Sequence, residues 1–103
     1  MAGITTHILD TAKGRPAAGM AVTLFFGKDV LFDGETDGDG RARVLEADRV
    51  KPGTYRIVFD TGAYNPTGFF PDVTIVFRID DVAQHYHVPL LLSPFAFSTY
   101  RGS

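Results

Sequence analysis

Cysteine and tryptophan are both missing from the 103 residues. Without cysteine there is no disulfide, no thiolate metal site and no cysteine nucleophile, and neither an oxidising nor a reducing compartment is favoured. No apolar run approaches the roughly 20 residues that a membrane-crossing helix needs. The opening MAGITTHILD has no basic segment followed by an apolar one, so nothing there reads as a signal peptide. The expectation is a cytoplasmic protein, with the periplasm left open. A large excess of either charge is also missing, with 10 Lys and Arg against 12 Asp and Glu. A formal net charge of −2 gives no electrostatic basis for binding nucleic acid or an anionic membrane. A phosphate-binding loop, a Gly-x-Ser-x-Gly elbow and a His-Glu-x-x-His helix are all absent. Ser98 and Ser103 have no acidic partner at a recognisable spacing, so a serine-nucleophile triad is unsupported. The final Arg-Gly-Ser is not a peroxisomal address of the Ser-Lys-Leu type.

What is present is ordinary globular material, 45% hydrophobic and 21% charged, in a chain of single-domain size spanning residues 1–103. Apolar residues alternate or cluster in short β-branched and aromatic runs, punctuated by KGRPAAG, DGDG, KPG and GAYNPTGFFPD. This pattern predicts strands over residues 4–9, 21–26, 30–35, 41–45, 54–60, 73–79, 86–92 and 96–101. Eight short strands in 103 residues point to an all-β antiparallel sandwich. No stretch of ten or more residues shows helical periodicity, and Pro66 and Gly68 limit GAYNPTGFFPD to one helical turn at most. Pro89 interrupts the seventh run. It cannot donate to a ladder, so that strand is expected at an edge or bulged there. The LLL that follows would then be exposed, which points to burial against another subunit.

The three histidines carry the chemical interest. His85 and His87 are two apart, so on a strand they share a face with Leu91, while Tyr86, Val88, Leu90 and Leu92 take the other. In ITTHILD the same parity places Ile4 and Ile8 toward a core, with Thr5 and His7 facing outward. Three readings stay open: solvated histidines, an acid/base site poised near neutral pH, or a zinc site with His7 as the third ligand. Outward histidines become functional only if another subunit covers that face.

The segment DGETDGDGRAR resembles the first half of a calcium loop through Asp33, Glu35, Asp37 and Gly38. The twelfth position is Val44 where a bidentate Glu belongs, and no helices flank it. A hairpin whose glycines supply positive φ is the better reading. Arg41 then opens the next strand, offering a fork of donors to an anionic or carbonyl-rich ligand unless it is merely solvated.

THILD, GRPAAGM, DGDGR and the terminal HYHVPLLLSPFAFSTYRGS together resemble the 5-hydroxyisourate hydrolases, the enzymatic branch of the transthyretin-like family. The match covers almost the whole chain in order, and the Tyr-Arg-Gly-Ser ending is its most specific part. The resemblance implies a transthyretin-like eight-stranded β-sandwich and a homotetramer built as a dimer of dimers, with sites where subunits meet. It implies hydrolysis of 5-hydroxyisourate to 2-oxo-4-hydroxy-4-carboxy-5-ureidoimidazoline in urate degradation, with no cofactor and no metal. By the same resemblance His7, Arg41 and His87 are catalytic and contact substrate, Tyr100 and Ser103 bind substrate, and His85 is a weaker candidate. The alternative within the scaffold is a carrier that holds a small aromatic ligand in the tetramer channel without turning it over. Two departures stand out: GKDVLFDGE is short for the family's second hairpin, and the family's helix after YRIVFDTG is nearly lost.

Overall fold

The computed structural model describes residues 3–102. Nine strands form two sheets: β1 Gly3–Asp10, β2 Arg15–Pro16, β3 Ala21–Phe26, β4 Asp29–Glu35, β5 Arg41–Leu45, β6 Gly53–Phe59, β7 Val73–Ile79, β8 His85–Leu92 and β9 Phe97–Thr99. One sheet runs β2-β1-β8-β9, with β5 also paired to β1, and the other runs β4-β3-β6-β7. Eight of the nine match the predicted runs, and the two-residue β2 is the addition. Every pairing is antiparallel except that between β1 and β8, which is parallel.

Period-two alternation builds the core. Ile4, Thr6 and Ile8 of β1 face inward with Val88, Leu90 and Leu92 of β8, and they meet Val22, Leu24, Tyr55, Ile57 and Phe59 from the opposite sheet. Each fully buried Leu, Ile or Phe contributes about 1.5–3 kcal/mol, so this shared interior holds the two sheets face to face. Thr6 lies in that apolar layer at 0% exposure because its hydroxyl donates to the Val88 carbonyl at 2.6 Å, which removes the cost of burying it. The bond also helps fix the parallel register that sets Thr5 against His87.

The single α-helical turn, Thr61–Tyr64, is capped by the Asp60 carboxylate accepting from Ala63 N–H. It begins one residue before the segment GAYNPTGFFPD and ends before Pro66, so the proline falls outside it.

Pro89 is where the structure departs from expectation. β8 is an interior strand, flanked by β1 and β9. The Pro89 carbonyl points toward β9, where it accepts from the Thr99 hydroxyl at 2.8 Å. A backbone donor at Pro89 would point the same way, and there the β9 ladder stops at Thr99 and resumes only as an isolated bridge between Gly102 and His87. The missing donor therefore falls in a gap of the pairing, and no edge position is needed. Leu90 and Leu92 are likewise buried within the protomer, leaving only Leu91 on the outer face. The apolar surface left outside lies elsewhere, at Phe69, Val76, Phe95 and Tyr100, each more than 60% exposed or at that value.

Candidate functional site

The outer face of the β1/β8/β5 sheet carries a cleft of about 380 Å³ lined by Thr5, Asp37, Arg41, Arg43, His85 and His87 among others. Three pieces of local structure create it. Parity on β8 turns His85 and His87 outward while Tyr86 and Val88 go to the core. Parity on β1 does the same for Thr5 and His7. The Asp-Gly hairpin then delivers Arg41 to the start of β5, directly opposite His7.

That hairpin is fixed from within. Asp37 Oδ1 accepts from the backbone N–H of Asp39 at 2.9 Å and of Arg41 at 3.0 Å, and Asp37 N–H donates to the Arg41 carbonyl at 2.8 Å. Gly40 is seated against β1: its φ is +74°, its carbonyl accepts from Ile8 N–H at 2.8 Å, and a Cβ there would lie 2.5 Å from the Ile8 carbonyl oxygen. Only glycine satisfies both the backbone angle and the contact. The backbone donors to Asp37, with the Arg41 and His7 charges adding to them, hold its carboxyl below the usual aspartate value.

Across the cleft one hydroxyl links two imidazoles. Thr5 Oγ1 is 2.9 Å from His85 Nε2 and 2.8 Å from His87 Nδ1, and the two rings lie nearly parallel with centroids 6.3 Å apart. Burial, followed by the nearby positive charges of His85, His7 and Arg41, pushes the His87 imidazole below its ordinary 6.5, with the Thr5 contact opposing. His87 is therefore neutral at physiological pH. A neutral imidazole beside a guanidinium can take a proton from water or donate a hydrogen bond, and the guanidinium can stabilise an oxyanion.

Of the residues expected from sequence, Arg41, His85 and His87 line this cleft, and His7 stands on the same face opposite Arg41. Tyr100 lies elsewhere in the protomer. It lines an adjoining depression of about 280 Å³ with Ile75, Phe77, Tyr86 and Arg101, on the other side of His87, which borders both. Ser103 lies outside the described residues. Gly102 approaches closely: its N–H donates to the His87 carbonyl at 2.8 Å, and a Cβ on it would lie 2.6 Å from His87 Cδ2. Arg101 closes the end of β8, with its guanidinium over the Tyr86 ring at 4.4 Å and Nη2 donating to Gln84 Oε1 at 2.8 Å. Thr5 and Arg43 line the cleft without being singled out from sequence, and Asp37, considered there only as a calcium-loop position, lines it as the anchor of the hairpin. Thr5 shares the outward parity of His7, but its role depends on β8, 80 residues away in the chain. Among the described residues, no group of three or more His, Cys, Asp and Glu is placed to hold a metal ion.

Residues 4–102 match the model of the HIUase/Transthyretin family. The chain belongs to that family. The "Uric acid degradation bifunctional protein TTL" of Arabidopsis thaliana is 47% identical over 97% of this chain, which spans only 37% of that longer protein. The 5-hydroxyisourate hydrolase of Caulobacter vibrioides is 42% identical with both chains fully covered. The structure of Klebsiella pneumoniae 5-hydroxyisourate hydrolase superposes with a TM-score of 0.91 at 34% identity, again covering both chains completely. The transthyretin-like sandwich expected from the resemblance is thus the observed fold. No helix among the described residues is long and apolar enough to cross a membrane.

Proposed function

We propose that this protein hydrolyses 5-hydroxyisourate, opening its cyclic amide in urate degradation. One observation carries the reading. The outer face of one sheet and the Asp-Gly hairpin bring Arg41, His85 and His87 into a single polar cleft, with His7 opposite Arg41, in a chain whose full-length relatives bear the name of that activity. A neutral imidazole takes the proton from an attacking water, and Arg41 stabilises charge on the carbonyl oxygen as the tetrahedral intermediate forms. The proton taken from water passes to the ring nitrogen as its bond to the carbonyl carbon breaks. Tyr100 and Ser103 orient the ring, on the reading that the site is completed where subunits meet.

The assembly we propose is a homotetramer, a dimer of dimers. Phe69 and Phe95 are 68% and 77% exposed, and β7 has a free edge in the protomer, surfaces of the kind that association covers. Light scattering coupled to gel filtration tests it, with a tetramer mass expected. A carrier of a small aromatic ligand would not need two stacked histidines and an arginine in a polar cleft. A metal-dependent hydrolase is separated by chelator dialysis. Turnover of freshly generated 5-hydroxyisourate is expected to survive it, and loss restored by zinc would overturn the metal-free mechanism.

A further inference from the structure

Among the described residues, one buried side-chain polar atom lacks a hydrogen-bond partner: Nδ1 of His85. Its neighbour in the network is fully specified, because Thr5 Oγ1 lies within hydrogen-bond distance of both His85 Nε2 and His87 Nδ1. A hydroxyl has one proton to donate and two lone pairs to accept with, and each neutral imidazole carries one N–H. Three proton arrangements fit those distances.

In the first, His87 Nδ1–H donates to Thr5 and Thr5 donates to His85 Nε2. The His85 proton must then sit on Nδ1, a buried donor with no acceptor among the described residues, which carries the desolvation penalty of an orphaned N–H. In the second, both rings donate to Thr5, which leaves the hydroxyl proton with no acceptor among the described residues. In the third, His85 Nε2–H donates to Thr5 and Thr5 Oγ–H donates to His87 Nδ1. Every proton then has an acceptor, and His85 Nδ1 is left as an unfilled lone pair, which is less costly than an orphaned N–H.

We propose that Thr5 is a positioning residue that carries this directed chain from His85 to His87, so that His87 presents Nε2–H to the cleft. The proposal rests on the hydrolase reading and assigns its two histidines different work. With Nδ1 engaged by Thr5, the nitrogen of His87 left for a ligand already carries a hydrogen and cannot take one from water. His87 is then a neutral hydrogen-bond donor to the carbonyl oxygen on which charge develops, working with Arg41. His7, opposite Arg41 on the same face, is the base. It removes one proton from water as the oxygen bonds to the carbonyl carbon, then returns that proton to the ring nitrogen as the carbon–nitrogen bond breaks.

The test is side-chain nitrogen NMR of the intact, ¹⁵N-histidine-labelled protein above pH 7, alongside the rates of Thr5→Val and Thr5→Ser. Valine keeps the β-branched shape and strand preference of threonine and replaces the hydroxyl with a methyl group. The expected spectrum has His85 and His87 both protonated at Nε2. In Thr5→Val the His87 signal divides between tautomers and kcat falls roughly ten- to hundredfold with KM little changed, and Thr5→Ser restores both. His87 protonated at Nδ1 in the wild type, or an unchanged kcat in Thr5→Val, overturns the proposal. The expected spectrum from a protein that does not turn over 5-hydroxyisourate would instead sink the hydrolase reading and leave the hydrogen-bond chain standing.

Discussion

Gly102 donates its backbone N–H to the carbonyl of His87 at 2.8 Å, and the space that a Cβ on it would need is already filled by the imidazole of the same histidine. The penultimate residue is therefore a spacer of zero size. It lets the chain end return across β8 and pin the strand at the residue whose ring lines the cleft.

Gly102→Ala is expected to act on the site before it acts on the fold. Its φ is outside the left-handed region, so strain is confined to the 2.6 Å approach to His87 Cδ2. Either the ring or the backbone around Gly102 must shift, and both disturb the setting of His87 against Thr5. Turnover should fall roughly tenfold or more, with a denaturation midpoint close to wild type. Equal losses of stability and activity would show that the contact is structural only.

Gly40→Ala should do the reverse and destabilise. The substitution meets both a φ of +74° and the Ile8 carbonyl 2.5 Å away. A loss of about 1 kcal/mol from the backbone angle alone, increased by the clash, should lower the denaturant midpoint. Arg41 would be carried out of place with the hairpin. A midpoint unchanged in urea titration would contradict this seating.

His87 should titrate below 6.5, with its midpoint raised when the nearby positive charge is removed. Burial is the first cause of its depression, and the His85, His7 and Arg41 charges add to it. The lowered value favours the neutral imidazole near neutral pH. Arg41→Gln removes one repelling cation and should move the NMR titration midpoint of His87 upward. A midpoint that stays put or moves down would refute the assigned electrostatics.

Tyr64→Phe is expected to cost about 1.5–3 kcal/mol near neutral pH, the worth of a hydrogen bond to a charged group. The Tyr64 hydroxyl donates to Asp10 Oδ2 at 2.7 Å, while Oδ1 accepts from the backbone of Ala12 and Lys13. Burial raises the Asp10 pKa, but these bonds and the Lys13 charge outweigh it and leave the group below 3.8. A depressed carboxylate contributes stability that is complete above its unfolded value and lost as pH falls through its folded one. The gap between wild type and variant should therefore narrow below about pH 3.8. A gap that stays constant into acid would mean that the bond does not depend on the charge of Asp10.

Much of this site was legible because its controlling patterns are local. Side-chain parity along ITTHILD and HYHVPLLL placed His7, His85 and His87 on outer faces, and the Asp-Gly turn placed Arg41 at a strand start. Strand partners are a different matter, since pairing depends on contacts far apart in the chain. Nothing in either segment alone shows that β1 and β8 lie parallel with Thr5 against His87, 82 residues apart. Thr5 consequently went unselected. Pro89 misled for the same reason: an edge strand and an interior strand facing a gap look identical in sequence. Tyr100 borders the neighbouring depression that shares His87 with the cleft, a placement that depends on how residues after β9 cross β8 and not on any local pattern.

The most direct measurement is the ultraviolet decay of freshly generated 5-hydroxyisourate with wild-type protein, with His87→Ala and with no protein. Fast decay is expected with wild type and a rate lower by roughly 10²–10³ in the variant, with the assembly and denaturation midpoint preserved. Decay at the spontaneous rate from folded, assembled wild-type protein would contradict the hydrolase reading.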